Sequence, residues 1–278
     1  MERDADGRET HQGPPAVPIG SRIAAYEVER EIGRGKAGVV YRARDLALDR
    51  VVALKLLPAG LAQNEAFRQR FIHDSRVVAG IDHPHVVPIF DAGESDGVLY
   101  IAMRYVRAGS LRDLLDQRGA LAVAPALRLA EHAASALDSA HAHGVVHGAV
   151  RPEKVLVILG EDDDLPQNAY LTGFGTAEPV PAEGFEADAA GDRYDLARVV
   201  LETLAGQPVV PPDGGEGERR VRPSTPPLSL SRMRPEIPPD VDSVMWTALT
   251  EAPADRYRSC REFVSALRAA VDGPDRRP

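Results

Sequence analysis

IGRGKAGVVYRARD, residues 32–45, followed after a short turn by VALKLL, residues 52–57, is the stretch that decides the fold. Glycines at 33, 35 and 38 interrupt two runs of β-favouring residues, so the spacing predicts strand, tight turn, strand: Tyr26–Ile32, then Val39–Arg44. LALD then turns the chain into a third strand, Val51–Leu57. Working outward, Gln63–Gly80 carries Phe67, Phe71, Val77 and Val78 amid charged residues, the pattern of an amphipathic helix. Val86–Phe90 and Leu99–Tyr105 read as two further strands. Beyond them the chain turns helical. Ser110 is placed to cap LRDLLDQ, Ala124–His143 is a long Ala/Leu helix ended by Gly144, and Asp192–Ala205 is closed by Gly206. Between the last two lies a hairpin, Val155–Leu159 and Tyr170–Thr172, joined by GEDDDLPQN. Val241–Thr250 and Arg261–Val271 complete the helices.

The 278 residues carry 44% apolar and 27% charged side chains, enough to bury a sizeable core. Thirty-three basic against 42 acidic residues leave a net charge of −9, which gives no electrostatic reason to expect nucleic acid or an anionic membrane as partner. No apolar run approaches the roughly 18 residues of a membrane span. Cys260 is the single cysteine, which excludes an internal disulfide and suits a reducing, cytoplasmic setting. Lysine is scarce: of the 33 basic residues only Lys36, Lys55 and Lys154 are lysines.

The order of parts resembles the protein-kinase fold, in particular the eukaryotic-like serine/threonine kinases of bacteria. The likeness runs from Tyr26 to Val271 and rests on ten blocks in register. They are IGRGKAGVVYRARD, VALKLL, RFIHDSR, HPHVVPIFDAGE, LYIAMRYV, AGSLRDLL, HAHGVVHGAVRPEKVLV, LTGFG, DRYDLARVVLETLAG and PADRYRS. It implies an α+β, two-lobed fold with a small β-rich N-lobe at 21–106 and a larger helical C-lobe at 107–272. A disordered leader (1–20), a Pro/Gly-rich insert (208–239) and a short tail (273–278) complete the expected organisation.

The resemblance also assigns a nucleotide site. Ile32, Gly33, Gly35 and Gly38 would cover the phosphates, with backbone close enough to approach them because no side chain intervenes. Lys55 would neutralise the α- and β-phosphates, and Asp74 stands where the family has the Glu that holds this lysine. Val40, Ala53 and Leu156 would sandwich the base, Met103 matches the gatekeeper, and Arg104 and Val106 offer the backbone groups that meet adenine. Arg151 matches the lysine that touches the γ-phosphate. Val78, Ile89, His147 and Phe174 occupy the family's stacked apolar spine, which Asp192 would anchor, and Arg256 matches the Arg that pairs with the Glu of Ala-Pro-Glu.

Three positions depart from the family at its chemistry. Where His-Arg-Asp is expected the chain has His147-Gly148-Ala149, so the carboxylate that accepts the substrate proton is a methyl group. Losing a positioned general base costs on the order of 10²–10⁴ in rate. The metal-binding Asn is Lys154, whose ammonium repels Mg²⁺, and Asp-Phe-Gly reads Gly173-Phe174-Gly175. Phosphoryl transfer draws most of its acceleration from metal and positioned charge. The resemblance with these losses implies a pseudokinase: a regulatory or scaffolding module that binds ATP or another nucleotide without needing Mg²⁺, with no metal ligands of its own. The partner classes it implies are an active kinase or a phosphopeptide-binding adaptor. Two alternatives stand beside it, a weakly active kinase with Glu153 or Asp164 as relocated ligands, and an interaction module with an empty cleft. The segment Thr176–Gly191 is short for an activation segment, with Glu183 in PVPAEG as a remnant.

Other features have plainer readings. His141, His143 and His147 form HxHxxxH, but zinc needs convergent partners, and the first two read as the end of a helix where positive charge suits the dipole. Asp162, Asp163 and Asp164 read as a solvated turn, Cys260 as a small packing residue, and Trp246 as packing in phase with Val241 and Leu249.

Overall fold

The computed structural model describes residues 17–35, 38–160, 165–174, 188–208 and 229–273. Lys36, Asp162–Asp164, Glu183, most of the leader, most of the Pro/Gly-rich insert and the last five residues lie outside the described residues. The chain divides into two compact units, residues 1–80 with 88–106, and residues 81–87 with 107–278.

The first unit is built on a six-stranded antiparallel sheet. Its strands are β1 (Arg22–Ile23), β2 (Tyr26–Gly35), β3 (Gly38–Asp45), β4 (Arg50–Leu56), β5 (Ile89–Ser95) and β6 (Val98–Arg104), in the order β1-β2-β3-β4-β6-β5. Alternation gives it two apolar faces. One packs Val39, Tyr41, Ala43, Val52, Leu54, Leu56, Tyr100 and Ala102 together with Tyr26 and Val28. The other packs Leu57, Leu99 and Ile101 against Phe67 and Phe71. Those two phenylalanines lie one turn apart on α2 (Glu65–Ala79), which follows the single-turn α1 (Ala59–Ala62). Asn64 starts α2 by accepting the Phe67 N–H at 3.0 Å, a cap that contributes about 1 kcal/mol.

Two boundaries differ from the sequence expectation. Residues 17–20 are a turn hydrogen-bonded to the sheet rather than part of a loose leader: the Val17 N–H donates to Tyr41 Oη and the Gly20 N–H to Val28 O. The fourth long strand is IFDAGES, not Val86–Phe90. It pairs with β6 through a tight turn at Asp96-Gly97, where both residues have positive φ (50° and 76°), the geometry that an Asp-Gly pair favours. The apolar Val86 and Val87 instead dock on the second unit's hairpin, the Val87 N–H donating to Leu171 O.

The second unit is helical around a small sheet of β7 (Gly109–Ser110), β8 (Val155–Leu159) and β9 (Pro166–Leu171). Its helices are α3 (Leu111–Arg118), α4 (Val123–Ala142), α5 (Ala189–Ala205), α6 (Leu230–Met233), α7 (Pro239–Ala248) and α8 (Cys260–Asp272). Ser110 and Asp113 form a reciprocal capping box at α3. α4 buries Ala126, Leu127, Ala130, Ala133, Ala134, Leu137 and Ala140, and small residues let neighbouring helices approach closely. Trp246 is not packing: α7 buries Val241, Met245 and Ala248, and Trp246 stands 53% exposed one residue off that stripe. α6 is a single turn inside the insert where no element was expected.

Candidate functional site

The residues that the sequence assigns to a nucleotide fall into two groups, one in each unit. In the first unit, strand register decides which side chains share a face. Val40 is paired with Lys55, Lys55 with Ile101, and Ala53 with Met103. Directly opposite residues point to the same side, as do residues two apart on one strand. Val40, Ala53, Lys55 and Met103 therefore line a single sheet face, and Lys55 is buried on it. The Arg104 N–H is taken up by Pro88 O, and Val106 is half-buried at the end of this unit.

The glycines of the turn have unequal roles. Around Gly33 and Gly35, both exposed, a Cβ would meet open space, whereas at Gly38 (φ +121°) it would strike the Leu56 carbonyl. Gly38 is thus fixed by the packing of its own sheet, and only the other two leave room for something above the turn. Ile32 is half-buried beside them. On α2, Asp74 faces Arg70 and His73, and burial outweighs both in pushing its carboxyl above the usual range. Val78 is buried on the same helix and Ile89 half-buried on β5.

In the second unit the loop Val145–Arg151 is held from below by one carboxylate. Asp192, 1% exposed in the first turn of α5, accepts the His147 N–H at 2.8 Å and the Gly148 N–H at 2.7 Å, and pairs with His141 Nε2 at 2.7 Å. His147, wholly buried, contacts Thr172 O through Nε2 at 3.0 Å and meets the Phe174 ring edge-on at 4.7 Å. His141 therefore does not act as a free charge on a helix end; only His143 caps α4, with its Nδ1 on Ser139 O. The link from His141 to Asp192 escaped the sequence because its 51 residues of separation leave no local trace.

Two of the three departures from the family, Lys154 and Gly173, lie against each other on this scaffold. Ala149 is half-buried, and its N–H lies 3.3 Å from His147 Nδ1. Lys154 ends a short 3₁₀ turn (Pro152–Lys154), and its carbonyl accepts the Thr172 N–H, which fixes its strand beside Gly173. A Cβ on Gly173 (φ +96°) would lie 3.2 Å from Lys154 Cδ and 3.6 Å from Nζ. The lysine stem thus lies against the bare glycine, and its ammonium stands where an aspartate at 173 would have projected. Burial and the neighbouring Arg151 both push the Lys154 amine below its usual range, and Glu153 offsets them only in part. Arg151 has its Nε buried without a hydrogen-bond partner, and Leu156 is half-buried on β8 opposite Tyr170. Lys154 and Gly173 do not fit a Mg²⁺ ion: an ammonium and a hydrogen atom occupy the two positions where oxygen ligands are required.

Arg256, 6% exposed, donates to the carbonyls of Ala190, Thr250 and Glu251 and stacks over Tyr194 at 4.8 Å. It ties the start of α5 to the segment before α8.

Comparison with known proteins agrees with this architecture. Residues 26–212 match the family model of the protein kinase domain. The serine/threonine-protein kinases PknD and PknE of Mycobacterium tuberculosis are 35% and 34% identical to this chain, each over 92% of its length. The match spans 41% and 48% of those two proteins, less than half of each. The crystal structure of the M. tuberculosis PknI kinase domain superimposes with a TM-score of 0.78 at 35% identity, covering 92% of this chain and all of that one. No described helix is long and apolar enough to cross a membrane. With its curled antiparallel sheet, its helical second unit and this match along most of its length, the chain belongs to the protein kinase domain family, among the relatives of bacterial serine/threonine kinases.

Proposed function

We propose that this kinase domain is impaired in phosphoryl transfer and works in the cytoplasm as a nucleotide-binding regulatory or scaffolding module. The observation that supports it is the packing of Lys154 on Gly173. The two positions that ligate metal in the family are here an ammonium and a glycine lying side by side. A fixed cation at that point supplies, without a metal, part of the positive charge that ATP phosphates need. The resemblance assigns Lys55, buried on the apolar sheet face of the first unit, to the α- and β-phosphates. Ala149 offers no proton acceptor, so a substrate hydroxyl is not activated there. Glu153, a candidate for a relocated ligand, is exposed on the 3₁₀ turn. An active kinase or a phosphopeptide-binding adaptor is the partner class that this reading favours.

The test is a thermal-shift titration with ATP in EDTA and in Mg²⁺. A ligand at about 100 Kd adds roughly 2.7 kcal/mol to a fold that alone binds it. The expected result is a shift in EDTA equal to or larger than that in Mg²⁺, reduced by Lys154→Asn. Binding that strictly requires Mg²⁺ would overturn the metal-free reading. Transfer of labelled phosphate above the background of a Lys55→Ala control would overturn the impairment. No shift under either condition would leave a module with no nucleotide.

A further inference from the structure

A second constellation of chemically capable side chains lies away from Lys154, at the junction of α4 and α8. Asp138 and His141 are three residues apart on α4 and so share one helical face. Cys260 opens α8 against that face. A carboxylate oxygen of Asp138, a ring nitrogen of His141 and the Cys260 sulfur all lie within 4.8 Å of one another. Cys260 is fully buried, while Asp138 and His141 are half-buried and give the cluster a side open to solvent.

Each group is already oriented. Asp138 accepts the Cys260 and Arg261 N–H groups at 2.9 Å, one on each oxygen, and so holds the first turn of α8. His141 is held through Nε2 by the buried Asp192 at 2.7 Å. A carboxylate hydrogen-bonded to the ring is the usual support for a histidine that ligates a metal. Thiolate, imidazole and carboxylate are the donors that zinc takes, and three protein ligands plus water complete its tetrahedron. Bond lengths of about 2.0–2.3 Å place such ligands roughly 3.5 Å apart, so the widest pair here closes by about an ångström. Burial, with Asp138 and Asp192 nearby, keeps the Cys260 thiol protonated, so an incoming cation takes the place of its proton, which leaves to solvent.

We infer that Asp138, His141 and Cys260 form a site for one divalent cation of the zinc class, with water as the fourth ligand. The site is independent of the nucleotide reading, yet a single side chain links the two regions. His141 braces Asp192, and Asp192 holds the His147 and Gly148 N–H groups, so the ion would stiffen the loop from behind.

The experiment titrates Co²⁺, then Zn²⁺, into the metal-free full chain. Because Cys260 is the only cysteine, any thiolate-to-cobalt charge-transfer band belongs to it. The expected result is a near-ultraviolet band with visible bands of a four-coordinate ion, saturating at one equivalent and bleached by Zn²⁺. Cys260→Ser abolishes the near-ultraviolet band. Asp138→Asn, which keeps an acceptor for α8, weakens Zn²⁺ binding at least tenfold, and His143→Ala on the same helix end changes neither. Absence of the band in the unmodified chain, its persistence in Cys260→Ser, or unchanged Zn²⁺ affinity in a folded Asp138→Asn would overturn the site.

Discussion

Two neighbouring regions of the second unit have gone opposite ways relative to the family pattern. The loop Val145–Arg151 keeps everything that holds its backbone: Asp192 beneath two N–H groups, His147 locked between Thr172 and Phe174, and Arg256 clamping the start of α5. Lys154, Gly173 and Ala149 keep none of the groups that touch metal or a transferring proton in the family pattern. The difference separates two kinds of requirement. A buried carboxylate that satisfies several donors cannot be removed without cost to the fold, because each orphaned donor costs about 1–3 kcal/mol. A carboxylate that only holds Mg²⁺ leaves the fold intact when lost. On the proposed reading, the residues that remain are those the fold needs, and the vacated positions are those that carry chemistry alone.

The strongest way to break this contrast is Asp192→Ala. It strips acceptors from the His147 and Gly148 N–H groups and from His141 at once. A loss of about 3–5 kcal/mol is expected in denaturant unfolding. A loss below about 1 kcal/mol would mean that the loop is held by something other than Asp192.

Acid tests the scaffold elsewhere. Residues 81–87 are tied to the second unit through His85, whose ring stacks on His132 at 3.9 Å and whose Nδ1 contacts Ala169 O. Burial and His85 lower the His132 pKa from 6.5 to about 4. The sign follows: the unfolded chain takes up a proton below pH 6.5 that the fold refuses, so stability is full above 6.5 and falls as pH drops toward 4. Solvent screening of this partly exposed ring keeps the loss below the roughly 3 kcal/mol that a fully shielded group would show across that window. Unfolding curves from pH 7 to pH 4 should show it, and His132→Leu should flatten this part of the profile.

The Gly-rich turn shows the same division on a smaller scale. Gly38→Ala drives a methyl into the Leu56 carbonyl at a positive φ and should cost about 2–3 kcal/mol, whereas Gly35→Ala meets open space and should leave stability within about 0.5 kcal/mol. The converse expectation is that Gly35→Ala alone weakens nucleotide binding. Equal stability losses at both sites would show that the turn is uniformly constrained.

How far the sequence carried these points depends on whether the signal was local. Three strands, the α2 helix, the α3 cap and the α4 run were legible because alternation, helical phase and capping residues lie within one element. The β5 strand was misplaced because Val86 and Val87 are more apolar than IFDAGES, and only the tertiary fold shows that they belong to the second unit. Asp192 and Arg256 were found through the family pattern, but the partners of Arg256, three carbonyls and a tyrosine ring, could not be read from it. Nor could the meeting of Asp138 with Cys260, which are 122 residues apart. Lys154 and Gly173 were singled out separately. That they touch is what the structure adds.

On the proposed reading, that contact makes Mg²⁺ dependence a property of a pair. Gly173→Asp alone places a carboxylate within reach of the Lys154 ammonium, which occupies it as an ion pair. Lys154→Asn alone leaves no carboxylate. Only the combined variant offers an Asp and an Asn to a metal, so Mg²⁺ should tighten ATP binding about tenfold there and in neither single variant, a non-additive outcome. Calorimetric titration with and without Mg²⁺ reads it, and equal Mg²⁺ effects in all three variants would place Lys154 away from the metal position.

The smallest expected effect is the sharpest test of why Lys154 is there. Its amine sits below the ordinary range because burial disfavours the charged form and Arg151 repels it. A lysine depressed in the fold carries a penalty at neutral pH that fades as pH rises through its folded pKa toward 10.5. Lys154→Met keeps the stem against Gly173 and removes the charge. It should stabilise the nucleotide-free protein at pH 7 by about 1 kcal/mol, raising Tm by roughly 2–4 °C, with the gain shrinking as pH approaches that of free lysine. The same substitution should weaken binding of ATP in EDTA. Opposite signs in the two measurements mean that the ammonium is retained at a cost to the fold for the sake of an anion. If Lys154→Met is destabilising, or leaves ATP affinity untouched, the lysine serves the scaffold, and the division between the two regions fails at its central residue.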